Sequence, residues 1–156
     1  MKSLLFVSLI LLSTTSCISQ RNIKNITERD GKIGIGTTSP DELLTVKGKI
    51  HTQEVLVDLN GAVAPDYVFE NYFHGASKLK PDYTFPSLAS VSKFVEQHHH
   101  LPNVPSAATL EKEGLSLKQM NLILLQKIEE LTLYTIEQQK QLDLLNEKVK
   151  QLDIKE

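Results

Sequence analysis

The residues of this chain best equipped for chemistry are three consecutive histidines, His98, His99 and His100. Neutral imidazole is a good zinc ligand. Neighbours at a helix end point about 100° apart, however, so three in a row do not easily close on one ion. An ion shared on the symmetry axis of an oligomer is the remaining geometry. The simpler expectation is a polar helix C-terminus, where imidazolium suits the helix dipole. No metal and no other cofactor is therefore assigned. Ser77, beside Lys78 and Lys80, is the candidate nucleophile of a self-cleaving peptidase, with those amines as its base. Gly34-Ile35-Gly36 opens like a phosphate loop, but the third glycine position is Ser39 and a proline follows, so that motif fails. Its glycines are read instead as sites of close backbone approach. Six of the nine Tyr and Phe residues fall between Tyr67 and Phe85. Tyr72, Phe73 and Tyr83 are the candidate ligand surface, for a glycan; the competing reading makes these aromatics the small core. There is no paired-carboxylate signature and no His-x-x-x-His motif, and the expectation is a protein that is not an enzyme.

These candidates sit in a chain of 156 residues with 17 Lys and Arg against 19 Asp and Glu, net charge −2. That balance offers no basic surface for nucleic acid. A single cysteine, Cys17, excludes an internal disulfide and a Cys-rich zinc site.

The ends are not globular sequence. Lys2, the apolar run Leu4–Leu12 and the small polar residues Ser13–Ser16 have the layout of an export signal. This run of nine residues, apolar but for Ser8, is too short for a membrane span, which takes about 20. Cys17 after small residues resembles a lipidation box, although Thr14 stands where leucine is usual. The alternative is cleavage after Ser19. Either way the protein is expected to be exported, secreted or held at the cell surface. Residues 20–31 are polar and aperiodic, and read as a flexible lead-in.

Residues 32–61 read as a β stalk. Leu44, Val46, Gly48 and Ile50 alternate on one face, with Thr45, Lys47 and Lys49 opposite. Val55, Val57 and Leu59 form a second set, shifted in phase, which predicts a bulge near residues 52–54. Asn60-Gly61 closes it as a turn. Strands this short need stacked neighbours or other subunits. Residues 62–115 read as a small α+β knob. Its stretch 62–86 is irregular. Ser87 then caps a helix from Leu88 to about Gln97 with Leu88, Val91, Phe94 and Val95 as its apolar stripe. Pro102 and Pro105 impose an extended turn, and Ser106 caps a short helix over Ala107–Glu113 that ends at Gly114.

Residues 116–156 carry the clearest signal, a 4-3 repeat. The d positions are Leu117, Leu124, Leu131, Gln138, Leu145 and Leu152; the a positions are Asn121, Ile128, Thr135, Leu142 and Val149. Eight of these eleven are apolar, and no Pro or Gly follows Gly114. That is a coiled coil about 54 Å long. Alone it would leave its stripe wet, so the partner is expected to be the chain itself, as a homo-oligomer. Asn121, Thr135 and Gln138 are expected to set register and strand number at some cost in stability. Leu at d with Ile or Val at a favours two strands. Met120 and Leu125 widen the apolar face and are expected to touch the knob.

The run Gly34-Ile-Gly-Thr-Thr-Ser-Pro40 with Leu44, Val46 and Gly48 resembles a segment of tail-fibre-like proteins exported by Bacteroidota. So do Pro65–Glu70, Ser87-Leu88 with Val91, the His100–Ala107 run HLPNVPSA, and Lys127–Tyr134, KIEELTLY. The likeness covers about residues 32–150. It implies a trimeric fibre end with a β stalk, a knob and a coiled coil, of α+β class overall, exported to the cell surface, where it could meet a surface glycan or another surface protein. More distantly the chain resembles the self-cleaving chaperone domains that end phage tailspikes. The Ser-Asp-x-Arg-x-x-Lys-like start of those domains has no counterpart between Gly61 and Asp82, so cleavage is not carried over. Residues 73–82 look like an insertion.

Overall fold

A computed structural model describes residues 25–153. Residues 1–19, expected to direct export and including Cys17, and the first residues of the lead-in lie outside the described residues. The chain divides between Val55 and Leu56 into two compact units.

The first unit is a three-stranded sheet. Strands β1 (Ile26–Arg29) and β2 (Lys32–Ile35) form an antiparallel hairpin, and β3 (Leu44–Val46) pairs parallel with β2. Thus the lead-in, expected to be flexible, contains a strand. Its sequence signal is Asp30-Gly31, with φ of 54° and 75° at the two central positions, the geometry that a two-residue hairpin turn demands. The turn between β2 and β3 is tied by Thr45, whose hydroxyl donates to Asp41 Oδ1 at 2.6 Å and accepts from the Asp41 and Glu42 amides, both at 3.1 Å. That bond to Thr45 holds the Asp41 carboxyl below the usual carboxylate range.

The sheet covers its small, polar side and leaves its apolar side open. Gly34 and Thr45 are buried, whereas Ile26, Ile33, Ile35 and Leu44 are exposed. Pairing places Ile26, Ile35 and Val46 in one row and Ile33 and Leu44 in the next, all on one open apolar face. The covered side is small because the chain folds back on it. A Cβ at Gly34 would lie 2.5 Å from the Thr37 carbonyl oxygen. Gly34→Ala should therefore force the turn open and cost about 1–3 kcal/mol, read as a lower melting temperature. No strand forms over residues 47–63, so the expected second alternating set is not a strand in the single chain. Val55, Leu56, Val57 and Leu59 stand exposed there, and the Asn60-Gly61 turn is present with positive φ at both residues. A lone strand with no partner to accept its backbone groups has nothing to stabilise it.

The second unit is helical among the described residues, so residues 62–115 carry no strand and the knob is not of mixed type. The order is α1 (Tyr67–His74), α2 (Leu88–His98), α3 (Ala107–Glu113) and α4 (Leu117–Asp153). Helix α1 falls in the stretch expected to be irregular. It ends at Gly75 in the left-handed conformation, with the Gly75 amide bonded to the Asn71 carbonyl. Helices α2 and α3 begin where Ser87 and Ser106 accept from the amides of Ser90 and Thr109. The core is small: Tyr67, Val68, Tyr83 and Leu133, with Phe69, Tyr72 and Phe85 packed around it. The chain as a whole is α+β, a small sheet followed by one long helix. Among the described residues no helix is long and apolar enough to cross a membrane.

Candidate functional site

Helix α4 is 37 residues, about 55 Å, and its two faces have different fates. Toward α1 it buries Gln126, Glu129, Glu130 and Leu133, the last with no exposure. Counting from the a and d positions above, Gln126 and Leu133 are f, Glu129 is b and Glu130 is c. These are the outer positions of a coiled coil, directly opposite the seam. The knob therefore packs on the back of the helix.

The seam itself is open. All eleven predicted seam residues from Leu117 to Leu152 are exposed, Ile128 at 58% and Leu131 at 63% even though both lie at the level of the knob. The helix is thus turned inside out relative to a globular amphipathic helix, covering polar residues and exposing leucines. Thr135 is less costly in a seam than its type suggests. Its hydroxyl already donates to the Leu131 carbonyl at 2.9 Å. Asn121 and Gln138 remain as the seam's polar groups.

The polar face is stabilised by a network across distant parts of the chain. Tyr67 OH donates to Gln126 Oε1 at 2.8 Å, and Gln126 Nε2 donates to Glu130 Oε1 at 2.7 Å. Tyr83 OH donates to the same oxygen at 3.1 Å, while Lys127 Nζ reaches Glu130 Oε2 at 2.7 Å. The Tyr67 and Tyr83 rings lie 4.9 Å apart. Burial, and then the negative charge of Glu130, push the Tyr83 and Tyr67 hydroxyls well above the usual tyrosine range. Both stay protonated as donors. Further along, Tyr72 OH donates to Glu137 and Tyr134 OH to the Pro86 carbonyl at 2.7 Å.

Glu129 is the exception, since its Oε2 is buried with no hydrogen-bond partner. Burial, and then the charge of Asp66, raise its carboxyl above the usual range. A group raised in the folded state stabilises fully below its unfolded pKa, about 4.3, and that contribution is lost as pH rises through the folded value. Glu129→Gln should therefore stabilise the unit at pH 7 by about 1 kcal/mol, with the gain fading toward pH 4. Urea midpoints at the two pH values read it.

The other candidates are dispersed. Tyr83 is buried in the core and Tyr72 is bonded to α4, so of the expected ligand surface only Phe73 stands exposed. Five of the six aromatics in this stretch, all but Phe73, form or pack against the small core. Ser77 is 5% exposed; its Oγ donates to Glu70 Oε2 at 2.5 Å and accepts from the Leu79 amide. Lys80 Nζ instead sits 5.0 Å over the Tyr67 ring. The bonds of Ser77 Oγ thus run to a carboxylate and an amide. The histidines do not fan out along one helix, because α2 stops at His98. His99 takes a left-handed cap conformation with φ of 57°, and the chain turns back. That brings the His98 and His100 rings within 6.0 Å of each other, both against Phe94. Met120 lines a small hollow with Pro105 and Leu110, as expected of a residue touching the knob. Leu125 does not line that hollow and is 42% exposed.

Sequence reasoning did not find the second half of this surface. Between α2 and α4 runs an apolar groove of about 320 Å³, walled by Leu88, Val91, Leu101 and Pro102 on one side and by Leu124, Ile128 and Leu131 on the other. Helix α2 fully buries none of its residues: of its predicted apolar stripe, Leu88 and Val95 are exposed and Val91 and Phe94 half-buried. The signal was present in that stripe, but only the fold sets it beside the seam. No family model, no curated protein and no solved structure matches this chain.

Proposed function

We propose that this protein is a non-enzymatic, exported structural or interaction protein, tail-fibre-like, that self-associates through α4 into a parallel trimer at the cell surface. The observation that carries the reading is the open seam: eight apolar residues on one face of a 37-residue helix, with the knob on the opposite face. A full-length apolar stripe left in water is the mark of an interaction surface. The sheet supports the same reading independently, since its Ile26, Ile33, Ile35 and Leu44 face is also uncovered.

Parallel, in-register packing brings Asn121 and Gln138 against their own copies, where their amides satisfy one another. A parallel shift of one heptad instead sets Asn121 against Ile128 and Gln138 against leucine. The leucines at d favour two strands by side-chain shape. Three are proposed because the apolar surface extends past the seam, over Leu125 on one flank and Leu88, Val91 and Leu101 on the other. In a trimer each helix has two neighbours, and both flanks are covered. Export rests on the N-terminal segment, and the fibre-like role on the motif resemblance. Sedimentation equilibrium of residues 20–156 at micromolar concentration should give three times the chain mass. A monomer would refute the reading, and a dimer would refute the strand number.

A further inference from the structure

We infer that the groove beside the seam is the seat for the flank of a second copy's α4, with Leu101 receiving that copy's Leu125 and Leu88 receiving its Thr132. The inference rests on the proposed parallel self-association and adds to it a second contact line and a pair of residue matches.

Three observations point to this occupant. First, the groove is continuous with the seam, because Leu124, Ile128 and Leu131 form its floor and are also a and d residues. Whatever covers the seam must lie along the groove's lip. Second, the groove opens on the g side of the helix, the side of Lys127 and Tyr134. In a parallel coiled coil the g flank of one helix faces the e flank of the next. The e residues at this level are Leu125 and Thr132. Leu125 is an exposed leucine outside the a and d positions. Thr132 donates its hydroxyl to the Ile128 carbonyl at 2.8 Å, so it brings no unsatisfied polar group into an apolar groove. Third, the polar groups at the groove are already paired, Lys127 with Glu130 at 2.7 Å, so the site asks for apolar contact.

The matches follow from position along α4. The bond from Tyr134 OH to the Pro86 carbonyl sets the start of α2, and hence Leu88, at the level of Leu131 and Tyr134. Pro102 shares a second cleft with Leu122 and Ile123, which sets Leu101 nearer the level of Leu124. Copies in register therefore bring Thr132 to Leu88 and Leu125 to Leu101.

The test uses the full chain carrying Cys17→Ser, made in two tagged versions, with single cysteines oxidised after co-expression. Leu124→Cys in both versions reports the seam itself. Leu101→Cys with Leu125→Cys, and Leu88→Cys with Thr132→Cys, report the groove. The expected result is an interchain disulfide in all three cases, with the crossed pair Leu88→Cys and Leu125→Cys linking at least tenfold more slowly. An oligomer linked by Leu124→Cys but by neither groove pair overturns the groove and leaves the seam standing. A monomer with no Leu124→Cys link overturns both. Fast linking of the crossed pair overturns the stated matches. All five substituted side chains are at least 40% exposed or on the exposed face of α4, so the single chain folds with each of them.

Discussion

Replacing Ile128 and Leu131 by aspartate is expected to leave the chain monomeric at micromolar concentration, with the knob still packed on α4. Both side chains are exposed in the single chain, so their loss removes nothing from the core of Tyr67, Val68, Tyr83 and Leu133. Burying one such side chain stabilises an interface by about 2 kcal/mol. A trimer contains six of them, and the substitution adds six carboxylates to the same seam. Association should weaken by more than about a million-fold. Helix content should fall as well. From Gln138 to Leu152 every residue is exposed in the single chain. An unsupported helix of that length is marginal in water. Circular dichroism and sedimentation, read together, should show lost mass and partial loss of helix with Tyr67 still buried. Persistence of the oligomer would mean that the seam is not the interface.

The reciprocal result is expected from Leu133→Ala. Leu133 is fully buried at an f position, where a free coiled coil would place a polar residue. Its removal should cost about 3 kcal/mol by leaving a cavity under Val68 and the tyrosine pair. A core of four buried apolar side chains cannot absorb much of that. The network above it would loosen too, because Gln126 and Glu130 depend on Tyr67 and Tyr83 being held at α4. The seam lies on the opposite face, so self-association should persist. Hydrogen exchange at the α1 amides should rise sharply while sedimentation stays unchanged. A loss below about 1 kcal/mol, or a shift to monomer, would contradict this separation of faces.

Local signals were legible wherever local bonds make the structure. Ser87 and Ser106 cap α2 and α3 from within three residues, and both helices lie within a residue of their expected bounds. Helix α1 was not legible. Asp66 at its start makes no side-chain capping bond, and its residues are held by distant partners. Asn71 is one example, donating to the Tyr83 carbonyl and accepting from the Phe85 amide. Which side of the sheet is covered was not legible for a related reason. Alternation identifies two faces, but the Thr37 turn over Gly34 decides which is covered within one chain.

The repeat from Leu117 to Leu152, and the helix it implies, follow from the sequence by itself, because a period of seven is a property of neighbours along one helix. The tertiary structure alone decided where the rest of the chain sits on that helix. Tyr67 reaches Gln126 across 59 positions and Tyr83 reaches Glu130 across 47. Each bond satisfies a buried polar group that would otherwise carry a desolvation cost, and no periodicity records such pairings. That arrangement turns the polar side of α4 inward, and it leaves the leucines, the α2 stripe and the groove between them facing out.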